Sequence, residues 1–143
     1  MRPAPQDVDR HLLALRQSVA ALRRHTGLSP RRLLFNPDRR RSVERGLQLY
    51  TRSLIELTGR IGPAAERNPA AYPSSIACLT AAGVLPSDLE ERLRAFATRG
   101  DALGKGATRL DRKEMVRVLD EHLDDFDELA AHVERWLAAR RPQ

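Results

Sequence analysis

At 143 residues with 25 Lys and Arg, 19 Asp and Glu and one cysteine, the chain is the size of one domain with its own core; a disulfide framework and a cysteine-built zinc site are excluded. No apolar run approaches the roughly 20 residues that span a bilayer, and MRPAPQDVDRHLL lacks the apolar h-region of a secretory signal, so the expected location is the cytoplasm. The net charge of +6 is uneven, with +8 in residues 1–72 and −2 in residues 73–143. Such a balance permits nucleic-acid binding, although arginines on solvated helix faces are its commoner cause.

In chain order, Val8, Leu12, Leu15, Val19 and Leu22 step by four and three, which makes one helical stripe. A first helix is predicted from about 7 to 25, with Asp7 as N-cap and Gly27 as stop. Ser29-Pro30 restarts the chain as a short helical piece through Leu33, Leu34 and Phe35. Asn36-Pro37 then reads as a cap followed by proline at the first helical position. A second long helix carries Val43, Leu47, Tyr50, Leu54, Leu57 and Ile61, and Gly62-Pro63 ends it. Much of the run Arg39, Arg40, Arg41, Arg45 and Arg52 falls opposite that stripe, as an exposed face or one suited to an acidic partner or RNA.

Residues 62–73 are a loop by their proline content, and a short helix is predicted from about Ser74 to Ala82, closing at Gly83. Pro86-Ser87 opens the next helix, where Ser87 and Glu90 form a capping-box pattern and Leu89, Leu93 and Phe96 form the stripe. The stripe then meets Gly100, where the helix is expected to fray or bend. From Asp111 the longest stripe follows: Met115, Leu119, His122, Phe126, Leu129, Val133 and Trp136. Asp120, Glu121, Asp124, Asp125, Asp127 and Glu128 are placed on its outer face. No segment alternates with period two. The predicted fold is therefore all-α: an up-down bundle of three long helices and two or three short ones, one domain over 1–143.

Chemistry-bearing residues are sparse. His122 lies in the last stripe, where a lone histidine is more often a packing residue than a catalyst. His11 and His25 do not share the spacing of a helical metal pair, and His132 falls nearly opposite His122, so neither metal nor cofactor is expected. Glu44, Arg45 and Glu56 are not distinguished from ordinary surface residues, and Cys78 reads as a small core residue. Gly104-Lys105-Gly106 is a poor match to a nucleotide-binding loop, since Ala-Thr follows in place of Lys-Ser/Thr.

From about 37 to 139 the order of signals resembles the HepT-like family of the HEPN group of helical domains. The resemblance rests on RRRSVERGLQLYTRSLIELT, on YPSSIACLTAAGVLPSDLEERLRAFATR and on LDRKEMVRVLDEHLDDFDEL. It implies a metal-independent RNase motif after the middle segment: Arg, four to six residues, His, any residue, Tyr. Arg99 falls on the arginine, but Gly104, Lys105 and Gly106 stand where the histidine belongs, and Gly106, Ala107 and Thr108 stand where the tyrosine belongs. Lys105 is a poor general base at neutral pH, and Asp101, two residues from Arg99, is better placed to pair with it than to move protons. By resemblance, two such junctions face each other across a homodimer cleft, and an MntA-type minimal nucleotidyltransferase silences the toxin by attaching AMP to it.

Three readings follow from this sequence. The first is a degenerate HepT-like component of a toxin–antitoxin system, which keeps the fold and binds its partner or RNA phosphate but lacks most of the nuclease motif. The second is an active RNase using a rearranged set of Arg99, Lys105 and His122. The third is a non-enzymatic subunit that presents substrate to a nucleotidyltransferase.

Overall fold

The computed structural model describes residues 5–27, 29–61, 72–94 and 112–140. Among these residues the chain is helical, without strands. The elements are α1 (Pro5–Arg23), α2 (Pro30–Leu34), α3 (Pro37–Thr58), α4 (Tyr72–Ala81), α5 (residues 87–94), α6 (Arg112–Glu121) and α7 (Leu123–Arg140).

Local chemistry sets several boundaries. Ser29 Oγ accepts from the Arg32 N–H at 3.2 Å, and Asn36 Oδ1 accepts from the Arg39 N–H at 3.1 Å, each just ahead of a proline that opens a helix. Gly27 and Gly83 take φ of +78° and +81°, left-handed conformations that end α1 and α4 and that side chains with a Cβ resist. Three ends differ from expectation, one being α4, which begins at Tyr72 rather than about Ser74. Helix α1 starts at Pro5, ahead of Asp7, and α3 ends at Thr58 with Gly59 as C-cap, before Gly62-Pro63. Glu90, expected in a capping box with Ser87, accepts through its carboxylate from Arg94 at 2.9 Å, a pair along α5.

The stripes read from sequence form the core. Leu15, Leu22, Val43, Leu47, Tyr50, Leu54, Leu57, Leu89, Met115, Phe126, Leu129 and Val133 are fully buried in one apolar cluster. The most extensive packing is α1 on α3, joined by the short α2. Gly46 allows it: a Cβ there would sit 2.8 Å from Leu22 Cδ2 and 3.0 Å from Leu22 Cγ, so the two helices approach more closely than two side chains permit.

Helix α1 also lies antiparallel to α7. Arg16 reaches Glu134 at 2.5 Å, while Arg23, at the other end, pairs with Asp124 at 2.8 Å and with Asp127. Between α3 and α7 the Tyr50 and Phe126 rings stack, with centroids 3.9 Å apart and planes 21° off parallel. Helix α2 packs on α6 and α3, α4 packs on α3, and α6 packs on α7.

The last stripe is divided. His122 is a turn between α6 and α7, although its N–H still donates to Val118 O at 2.9 Å and its carbonyl accepts from the Phe126 N–H at 3.1 Å. The stripe therefore stays in phase across the break, and Met115, Leu119, Phe126, Leu129 and Val133 all reach the core. Trp136 is only half-buried, with the Arg140 guanidinium 3.8 Å above its ring. No described helix is long and apolar enough to cross a membrane.

Candidate functional site

Helix α5 is the element that delivers the chain to Arg99. Leu89 and Leu93 anchor it in the core, and Arg92, one residue before Leu93, emerges beside α7. There its guanidinium donates to Asp125 Oδ1 at 2.8 Å and to both Glu128 oxygens, at 2.8 and 3.3 Å; Asp88 lies 3.6 Å away on its own helix. Asp125 and Glu128 are three apart and so share one face of α7. The bidentate grip of Glu128, with Asp125 and Asp88 adding to it, pushes Arg92 above the usual arginine range, and the same bond holds Glu128 below the usual carboxylate range.

The second oxygen of Asp125 faces His122. Nδ1 lies 3.4 Å from Oδ2, and the two side chains are 13% and 10% exposed. The carboxylate thus bridges an arginine and an imidazole at the turn between α6 and α7. Placing Asp125 among solvated outer-face acids is corrected here: an arginine from another helix allows the carboxylate to be buried. A carboxylate on Nδ1 fixes the orientation of an imidazole. It also ties α5 to the α6–α7 turn.

The other expected residues are dispersed. Glu44 pairs with Arg40 at 3.1 Å and Glu56 with Arg60 at 2.8 Å, both along α3. Arg45 is exposed beside an open groove that Arg41, Glu44 and Arg52 also line. Arg39 and Arg40 are half-buried, not part of a wholly solvated arginine face. Cys78 is half-buried, at the edge of the core rather than within it. His132 lies 3.4 Å from Arg135. Among the described residues no group of three or more His, Cys, Asp or Glu is placed to hold a metal ion. Arg99, Asp101 and Lys105 lie outside the described residues.

His25 belongs to a separate corner, after α1. Its Nδ1 accepts from Arg39 Nε at 3.1 Å, which requires that nitrogen to be unprotonated. Burial, then the charges of Arg39 and Arg24, hold the imidazole below its ordinary value of 6.5. The unfolded chain therefore takes up this proton at higher pH than the folded one. Its contribution to stability is complete above pH 6.5 and is lost as pH falls below that value, until the folded-state pKa is passed. Thermal melts from about pH 8 to 5 should show that decline, and His25→Gln should flatten it; an identical profile in the variant would assign the decline to other groups.

In comparisons with known proteins, the family model described as HepT-like, ribonuclease HepT-like, matches residues 15–133. No curated protein and no solved structure matches.

Proposed function

The chain belongs to the HepT-like ribonuclease family, and from that membership we propose that it is a degenerate toxin-type component, a cytoplasmic homodimer that binds RNA phosphate but has lost efficient cleavage. The observation that carries this reading is the sequence after Arg99: glycine, lysine, alanine and threonine occupy every position where the motif histidine and tyrosine belong. Cleavage through the ribose 2′-hydroxyl needs a group that moves protons near neutral pH, and histidine in that role contributes typically about 10²–10⁴-fold. Arg99 retains the other half of the chemistry, a fixed cation for the phosphate.

The same loss bears on the partner. A minimal nucleotidyltransferase of the MntA type would find no tyrosine acceptor in this motif, so the proposed pairing acts by binding rather than by AMP attachment. In the proposed dimer, Arg99 and Lys105 of both copies face one cleft. Purified protein with RNA and EDTA should give no cleavage above blank, while fluorescence anisotropy should show binding that Arg99→Ala weakens about tenfold, the worth of a charge-assisted contact. Robust turnover that Arg99→Ala abolishes would overturn the proposal.

One observation favours a second reading. The His122–Asp125 pair is the arrangement that orients a catalytic imidazole, and a rearranged RNase would use it with Arg99 and Lys105. Expression of such a toxin arrests growth, and His122→Ala relieves the arrest.

A further inference from the structure

The corner between α2 and α3 carries a cleft that neither the core nor the Arg99 segment explains. It has a volume of about 520 Å³ and is lined by Ser29, Arg31, Arg32, Phe35, Asn36 and Arg39. Three of the six are arginines and none is an acid. Two other clefts each include a carboxylate, Asp9 and Glu134 in one and Glu44 in the other. The nearest acid in sequence, Asp38, is paired with Arg41 at 3.1 Å. Arg31 and Arg32 are exposed and form no ion pair among the described residues. Arg39 is fixed in place by His25 and by the Arg24 carbonyl.

Phe35 lies among these cations with 74% of its surface exposed, and its neighbour Leu34 is 49% exposed. Exposing a phenylalanine forfeits roughly 1.5–3 kcal/mol of burial, and here the exposed ring stands beside Arg31 and Arg32, which have no ion pair among the described residues. Guanidinium groups that track phosphates, with an aromatic face on which a base stacks, are the chemistry that holds single-stranded nucleic acid. Helix α2 rests on α6 and on α3, so the corner is carried on packed helices.

We propose that the α2–α3 corner is an anchoring site for single-stranded nucleic acid, separate from Arg99, with one base stacked on Phe35 and phosphates on Arg31, Arg32 and Arg39. It extends the RNA-binding reading above and rests on that reading for its choice of RNA as the natural strand. Anisotropy with a labelled 12-nucleotide RNA, and with DNA of the same sequence, tests it on the full chain. Phe35→Ala should weaken binding roughly tenfold and Phe35→Tyr should restore it, since base–aromatic stacking survives in tyrosine. The Arg31→Ala/Arg32→Ala pair should reduce the salt slope by about 1.4, two phosphates at roughly 0.7 each for a single strand.

The control pair Arg45→Ala/Arg52→Ala removes the same charge from the outer face of α3 and should change affinity less than twofold. Equal losses in the two double variants, or no loss in Phe35→Ala, overturn the site. A shift in oligomeric state of Phe35→Ala with RNA affinity unchanged also overturns it and assigns the patch to self-association. Loss in Arg99→Ala alone leaves the proposed function standing and removes the corner site. Loss in the corner variants alone does the reverse. Stronger retention of RNA than of DNA marks RNA as the ligand, and equal retention assigns the site to phosphate and base chemistry alone.

Discussion

Phe126→Ala should lower the unfolding free energy by about 3–5 kcal/mol. The ring is fully buried and stacks on Tyr50, itself fully buried, so its removal empties the space between α3 and α7. An aromatic pair contributes about 0.5–1.5 kcal/mol beyond the area it covers, and the remainder comes from the lost transfer energy and the cavity. A domain of this size has about 5–15 kcal/mol in total, so the variant should be marginal. Urea unfolding followed by helical circular dichroism should show a large drop in midpoint with an unchanged slope. Phe126→Leu, which refills much of the volume, should lose well under half as much. A loss below about 1 kcal/mol for the alanine variant would show that the surrounding side chains collapse into the space.

The second large effect is a gain. Gly104→His combined with Gly106→Tyr rebuilds the family order of arginine, four residues, histidine, one residue and tyrosine around Arg99. Metal-independent RNA cleavage should then rise by about 10²–10⁴-fold over the natural chain, the usual worth of a positioned acid–base group. Arg99→Ala on that background should abolish it. The restored tyrosine also returns an acceptor for AMP, so mass spectrometry after incubation with a minimal nucleotidyltransferase and ATP should find the adduct on the double variant and not on the natural chain. A double variant that cleaves no faster than the natural protein would show that the site has lost more than these two side chains. Natural-chain cleavage abolished by His122→Ala would instead favour the rearranged site.

What the sequence made legible is what local chemistry and periodicity control. Val8, Leu12, Leu15, Val19 and Leu22 all lie in the core as their spacing requires, and so do Val43 through Ile61 of the second stripe. Ser29 and Asn36 cap their helices because each bond closes within three residues. The misses are tertiary. Helical spacing puts Asp125, four residues before the buried Leu129, nearer the inward face than the exposed Asp124, but the partner that allows its charge to be buried is Arg92, 33 residues earlier. Neither glycine nor proline marks the turn at His122, because the stripe keeps its phase across it. Phe35 reads as part of an apolar helical piece, yet Leu33 is the buried side chain there and Phe35 faces outward. The motif around Arg99 is legible through residue order alone, and that is also why the loss of its histidine and tyrosine is visible.

The docking of α1 on α7 has a temporal consequence. Arg23 meets Asp127 and Arg16 meets Glu134 across 104 and 118 residues of chain. During synthesis at about 5–20 residues per second, α1 waits several seconds or more for that partner, with only α3 available to cover its apolar stripe. The α1–α3 hairpin is therefore the piece able to assemble while the chain is still attached to the ribosome, and the wall bearing Asp125 and Glu128 arrives later. Until then Arg92 has no carboxylate from α7, and α5 is not yet fastened on that side. A nascent chain thus carries the arginines of the α2–α3 corner before α5 has its fastening on α7.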